Sequence, residues 1–239
     1  MPDLAAGWRG AAAEQIEQIE QRAGRPLPRF YRWFLARMGV SMGPIAYRTI
    51  DFSAARVEAA YAKGLVAQDP RLLLIGWQSD TSMPMHLFYD LDCAARDDAR
   101  VVLRHAEGGD VYPHFETLRE MIAWGELLSH RVNKCMQRCE GAVLDDDGEI
   151  VARLDPVLRS LGFTAPIATG PRCMIYESTE AAMVSRATLT DEPTVHAFTL
   201  GGKSAGYLRR MLGELATRSG LALDVMEWNP PLASRASRR

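Results

Sequence analysis

Seven aspartates in two short runs are the side chains whose crowding most invites chemistry. Asp90, Asp92, Asp97 and Asp98 lie close together with Arg96 as the only intervening base, and Asp145, Asp146 and Asp147 stand in a row before Gly148. Carboxylates this dense either sit in solvated loops or present a negative field to a cationic partner, which speeds encounter and sharpens selectivity. For the triplet, the following Gly148 also permits a simple turn. A calcium-binding loop is excluded there, because no Glu stands where such a loop needs its later bidentate ligand.

The other reactive side chains read as structural. Cys135 and Cys139 are four apart, one face of a helix, and His130 is near. A tetrahedral zinc site needs a fourth ligand and usually tighter cysteine pairs, and Cys173 joins the set only across a contact between domains. Buried thiols are therefore expected, with no metal and no cofactor. The five histidines, His86, His105, His114, His130 and His196, are scattered, and neither a His-Glu-x-x-His pair nor a Gly-x-Ser-x-Gly elbow occurs. Gly201-Gly202-Lys203-Ser204 has the ending of a phosphate loop, but position 197 is Ala197 where that loop needs its first glycine. A strand-to-helix turn capped by Ser204 is expected. No nucleophile–base pair follows from spacing, so the chain reads as a protein that is not an enzyme.

The elements that must position these residues follow from pattern and punctuation. Ile16 and Ile19 among Glu and Gln predict an amphipathic helix over 11–22, closed by Gly24. Pro28 opens a second helix with Phe30, Phe34 and Met38 or Trp33 on one face, ending at Gly39. An extended run over 45–50 comes next, and Ser53 caps a short helix reaching Lys63. Strands are expected at 72–77, 86–91 and 101–105, and a long helix from Phe115 towards Cys139. The composition shift over 140–149 then marks a boundary or a turn. Beyond it come a helix near 154–161, strands near 173–177, 181–187 and 195–200, a helix over 204–218 and a returning strand near 221–228. The fold class is thus α+β, with a domain over 1–140, a smaller α+β unit over 141–230 and a disordered tail over 231–239. Trp8, Phe30, Trp33, Phe34 and Phe115 are all assigned to the core, each contributing about 1.5–3 kcal/mol.

Composition removes several function classes. The chain carries 47% apolar and 24% charged residues over 239 positions, ordinary for a folded protein of two domains. Basic residues number 28 against 30 acidic ones, and a cut after Glu140 uncovers no asymmetry. A basic field for nucleic acid is missing, and Arg235, Arg238 and Arg239 read as a solvated terminus. No run of about 18 apolar residues and no export signal is seen. With four irregularly spaced cysteines, a reduced, cytoplasmic protein without membrane or nucleic-acid partners is expected.

The landmarks of the first half fall in a specific order. Trp8 precedes a Glu-rich helix, and Leu27-Pro28 opens an aromatic helix ending at Met38-Gly39. Ile75-Gly76, Tyr89-Asp90 and Val101-Val102 mark strands, and Phe115-Glu116-Thr117-Leu118 opens a closing helix. Over residues 7–131 this order resembles the SUKH superfamily, which includes bacterial immunity proteins of polymorphic toxin systems and fungal regulators of cell-wall synthesis. The sequence departs from the family at Met38-Gly39-Val40, where an Asn-Gly pair is common, and over 78–84, which is longer and less acidic, with Asp80 alone in the characteristic place. The resemblance implies a mainly antiparallel sheet with flanking helices and an immunity function: stoichiometric occlusion of a cognate protein toxin, such as a nuclease, in bacterial competition. The alternative it implies is a regulatory or scaffold module that binds another protein. On the immunity reading the seven aspartates face a cationic toxin cleft. Replacing Asp97 and Asp98 by Asn is then expected to slow association and leave the fold intact.

Overall fold

The structure is a computed structural model, and it describes residues 5–45, 47, 49–79 and 85–232. Asp80 and the tail arginines singled out above lie outside these residues. The chain divides into two compact units, Met1–Ile122 and Ala123–Arg239.

The first unit opens with β1 (Trp8–Arg9), α1 (Ala13–Ala23), α2 (Arg29–Met38) and β2 (Ser41–Met42), β1 and β2 forming a two-stranded ribbon. Next come β3 (Ile50–Asp51), α3 (Ala54–Ala62), β4 (Leu72–Gln78), β5 (Met85–Ala95), β6 (Asp98–His105) and β7 (Tyr112–Phe115). These five strands pair in sequence order as an antiparallel meander. Helix α4 (Leu118–His130) follows, and the division between the units falls within it. Local chemistry explains the helix ends. Gly24 closes α1 at φ 65°, and Ser53 caps α3 by accepting from the Arg56 amide. Of the extended run expected over 45–50, only Ile50 pairs as a strand among the described residues.

Helix α2 buries Tyr31, Phe34, Leu35 and Met38, a stripe at three- and four-residue spacing. Tyr31 meets Tyr89 of β5 edge-on at 5.1 Å, and Phe34 meets Phe52 at 6.2 Å. On the opposite face of the meander, Leu72, Leu74, Phe88 and Val102 cluster with Ala60 and Val66.

The second unit overturns part of the expected order. The long helix towards Cys139 stops at His130, a short 3-10 turn spans Val132–Lys134, and β8 (Gln137–Leu144) begins. After it come α5 (Ile150–Ser160), β9 (Cys173–Glu177), β10 (Ala181–Ala187), β11 (Val195–Gly202), α6 (Ala205–Ser219) and β12 (Ala222–Asn229). The antiparallel sheet has the order β12-β8-β11-β10-β9. The segment over 140–149 is therefore no boundary: its first half lies in β8, inside the sheet, with β11 on one side and β12 on the other, and its second half is the turn into α5. Gly141 is required there, since a Cβ would lie 2.0 Å from the Asp224 carbonyl oxygen. Helices α5 and α6 supply Leu154, Leu158, Leu208 and Leu215 to a core shared with Met174, Met183, Phe198 and Leu200.

Two buried histidines give the fold an acid sensitivity. Burial, with Arg56 and His105 nearby, pushes His86 down to about 4, and its Nδ1 accepts from the Gln78 amide. Burial, aided by Arg172, likewise pushes His196 down to about 4. A depressed imidazole contributes stability above its unfolded value of about 6.5, and that contribution is lost as pH falls towards the folded value. The melting midpoint is expected to drop between about pH 6.5 and 4, and His196→Gln to flatten that slope. A thermal-shift series across pH checks this, and an unchanged slope would contradict it.

Candidate functional site

The first aspartate cluster does not form an acidic face, because each member is engaged separately. Asp90 is 1% exposed and takes a forked pair from Arg71 at 2.9 and 2.6 Å. Burial alone would raise its carboxyl, but hydrogen bonds from Arg71 and Cys93 outweigh that and hold it below the usual range. Asp98 is also buried. It accepts from the Tyr89 hydroxyl at 2.6 Å and from the Ala99 and Arg119 amides, while burial keeps its carboxyl raised. Asp92 is exposed and paired with Arg25 at 2.8 Å. Asp97 is exposed and paired with Arg119.

The second cluster separates in the same way. Asp145 is buried, where its carboxylate accepts from the Glu149 amide at the start of α5 and from Arg153. Asp146 and Asp147 alone of the three are exposed. A buried carboxylate holding backbone amides is structural, so Asp90, Asp98 and Asp145 leave the set of contact residues.

The other sequence candidates resolve into fold. His130 ends α4, Cys135 follows the 3-10 turn and Cys139 lies in β8, so the three do not share a helical face. Cys173 in β9 is separated from β8 by β11 and β10. Among the described residues no group of three or more His, Cys, Asp or Glu could hold a metal ion. Lys203 pairs with Glu180, and Ser204 accepts from the Tyr207 amide at the start of α6, the capped turn expected from Gly201-Gly202-Lys203-Ser204. Ser185 and His196 lie 3.0 Å apart, Oγ to Nδ1, a juxtaposition that sequence spacing did not show. Both are 0% exposed, so no substrate in solution reaches this pair. Among the described residues, no helix is long and apolar enough to cross a membrane.

The feature that sequence reasoning placed wrongly is Trp33. It is not core but 41% exposed, on the side of α2 away from the Tyr31, Phe34, Leu35 and Met38 stripe. Phe30 stacks on it at 5.4 Å with 25° between rings, and Trp8 of β1 meets it edge-on at 6.1 Å. Trp8 and Phe30 are half-buried, whereas Phe34 and Phe115 are core as expected. Gly10 permits the close approach of this segment to α2, for a Cβ there would lie 2.0 Å from the Ala36 carbonyl oxygen. Gly39, expected to end the helix, does so at φ −65°, and glycine is needed there because a Cβ would lie 2.5 Å from the Leu35 carbonyl oxygen.

Beside the rings lies a groove of about 430 Å³ lined by Arg29, Phe30, Trp33, Asp97 and Arg119. The β5–β6 turn forms one wall. Ala95 pairs with Asp98, leaving Arg96 and Asp97 as a two-residue loop. The Asp97 carbonyl accepts from the Phe30 amide at 3.0 Å, fastening the loop to the start of α2. The Asp97 carboxylate accepts from Arg119 Nη2 at 3.1 and 3.3 Å, and the guanidinium lies 4.8 Å from the Phe30 centroid. Arg96 is the one non-glycine with positive φ among the described residues, at 60°. That conformation costs about 1–2 kcal/mol for an L residue. Arg96→Gly should raise the stability of the chain by about 1 kcal/mol in urea unfolding. An unchanged or lowered midpoint would remove the strain assignment.

No protein-family model matches the chain, and no solved structure matches it.

Proposed function

We propose that this chain is a cytoplasmic immunity protein of the SUKH type, which neutralises a cognate protein toxin by stoichiometric binding through the α2 face. The observation that carries this reading is the exposed Trp33, braced by Phe30 and Trp8 and flanked by Arg29 and Arg119. Binding hot spots are enriched in Trp and Arg, and a shallow groove beside a fixed indole offers a partner side chain a desolvated seat. The helix pair ahead of an antiparallel meander is the arrangement that the resemblance implies, which also supports the reading. Of the seven aspartates, Asp97 is the one that lines this groove. Neutralisation here needs no covalent step.

The test is co-expression with a toxic effector encoded beside the gene for this chain. Cells survive with the unmodified chain, and protection is lost with Trp33→Ala although the variant stays folded and abundant. Truncating a central interface tryptophan costs at least about 2 kcal/mol of binding, roughly thirtyfold in affinity. Killing that persists in the presence of abundant, folded, unmodified chain would overturn the reading.

A further inference from the structure

We infer that the α2 face takes an acidic protein surface, with partner carboxylates seated beside Arg29 and Arg119 along the Phe30–Trp33 stack. The inference rests on reading that face as the partner-binding one, and it reverses the cationic partner that the aspartate clusters led us to expect. Helix α2 reads RFYRWFLARM and contains no carboxylate. Four-residue spacing sets Arg29, Trp33 and Arg37 on one stripe, and all three are exposed. Arg32 is taken by Glu20 and Arg119 by Asp97. Arg29 and Arg37, one turn to either side of the indole, enter no ion pair among the described residues. The face thus offers two cations without an ion-pair partner among the described residues, with a large apolar ring between them.

A guanidinium recognises a carboxylate through a planar fork, and burial of Trp33 under the partner would lower the local dielectric and strengthen those contacts. Asp97 already holds Arg119 with both oxygens, so it occupies the place an incoming carboxylate would take and competes with it. Nucleic acid fits less well. Base stacking needs an open ring face, whereas Phe30 carries Trp33 on one side and the Arg119 guanidinium nearby. Backbone phosphates also call for a broad basic field, and the chain has a net charge of −2.

The experiment titrates the full chain at low salt with four labelled probes: a glutamate-rich peptide, its lysine-rich counterpart, a single-stranded oligonucleotide and vesicles containing anionic lipid. The glutamate peptide is expected to bind in preference to the other three and to be released by added salt. Arg29→Glu with Arg37→Glu should weaken it about tenfold, and Asp97→Asn should tighten it by about threefold, with melting midpoints showing each variant folded. Preference for the lysine peptide, the oligonucleotide or the vesicles, or indifference to the charge reversal, would overturn the inference. The two readings fail separately. An effector that does not bind removes the immunity reading and leaves the peptide result standing. An effector that binds equally well to the Arg29→Glu, Arg37→Glu variant removes the acidic-surface inference alone.

Discussion

Phe34→Ala lowers the stability of the first unit by about 3–5 kcal/mol, whereas Trp33→Ala, its neighbour in the chain, costs about 1 kcal/mol. The contrast follows from which side of α2 each ring occupies. Phe34 is 0% exposed and wedged between Tyr31 and Phe52, so truncation leaves a cavity that a packed aromatic cluster cannot refill. Trp33 loses two ring contacts at a surface where water replaces them. Urea unfolding of the two variants decides the matter. Equal losses would return Trp33 to the core and dismantle the proposed binding face.

The second large effect separates two adjacent aspartates. Asp98→Ala should destabilise by about 3 kcal/mol, because it strips a buried acceptor from the Tyr89 hydroxyl and the Arg119 amide and leaves donors unsatisfied. Asp97→Asn should change stability by no more than about 1 kcal/mol, since it loosens an exposed ion pair that water largely screens. The paired substitution of both by Asn, which the sequence marked as harmless to the fold, is also expected to destabilise, because an amide at position 98 supplies one acceptor oxygen where Asp98 uses two, and Asp97 alone is the informative variant. Thermal melts of the two single variants check this. A small loss for Asp98→Ala would show that its buried network contributes little.

What was legible in the sequence divides along local and non-local lines. Ser53, Gly24 and Ser204 announced their caps because a cap is made within three or four residues. The true core stripe of α2 was also present, as Tyr31, Phe34, Leu35 and Met38 complete a two-turn face and leave Arg29, Trp33 and Arg37 outside it. Aromatic size alone does not separate Trp33 from Phe34; their places in the helical period do. Strand β8 was missed for a similar reason, with Cys135 and Cys139 read at a helical period while Cys139, Gly141 and Val143 alternate as a strand does. The fate of the aspartates was not legible. The partner of Asp90 is Arg71, the residue just before the neighbouring strand β4, and that of Asp97 is Arg119 beyond two further strands, contacts that only the sheet register creates.

The two sheets also differ in when they can be completed. In the first unit each strand of the meander pairs with its predecessor, across α3 for β3 and β4 and across short loops from β4 onward, so β4 to β7 can zip as the chain leaves the ribosome. In the second, β8 waits for β11, and its other edge stays open until β12, at the end of the described chain, arrives and pairs. The exposed Trp33 face can thus assemble before the later half has been synthesised. That order makes the α2 face, which we propose as the binding surface, an early product of folding and the second sheet a late one.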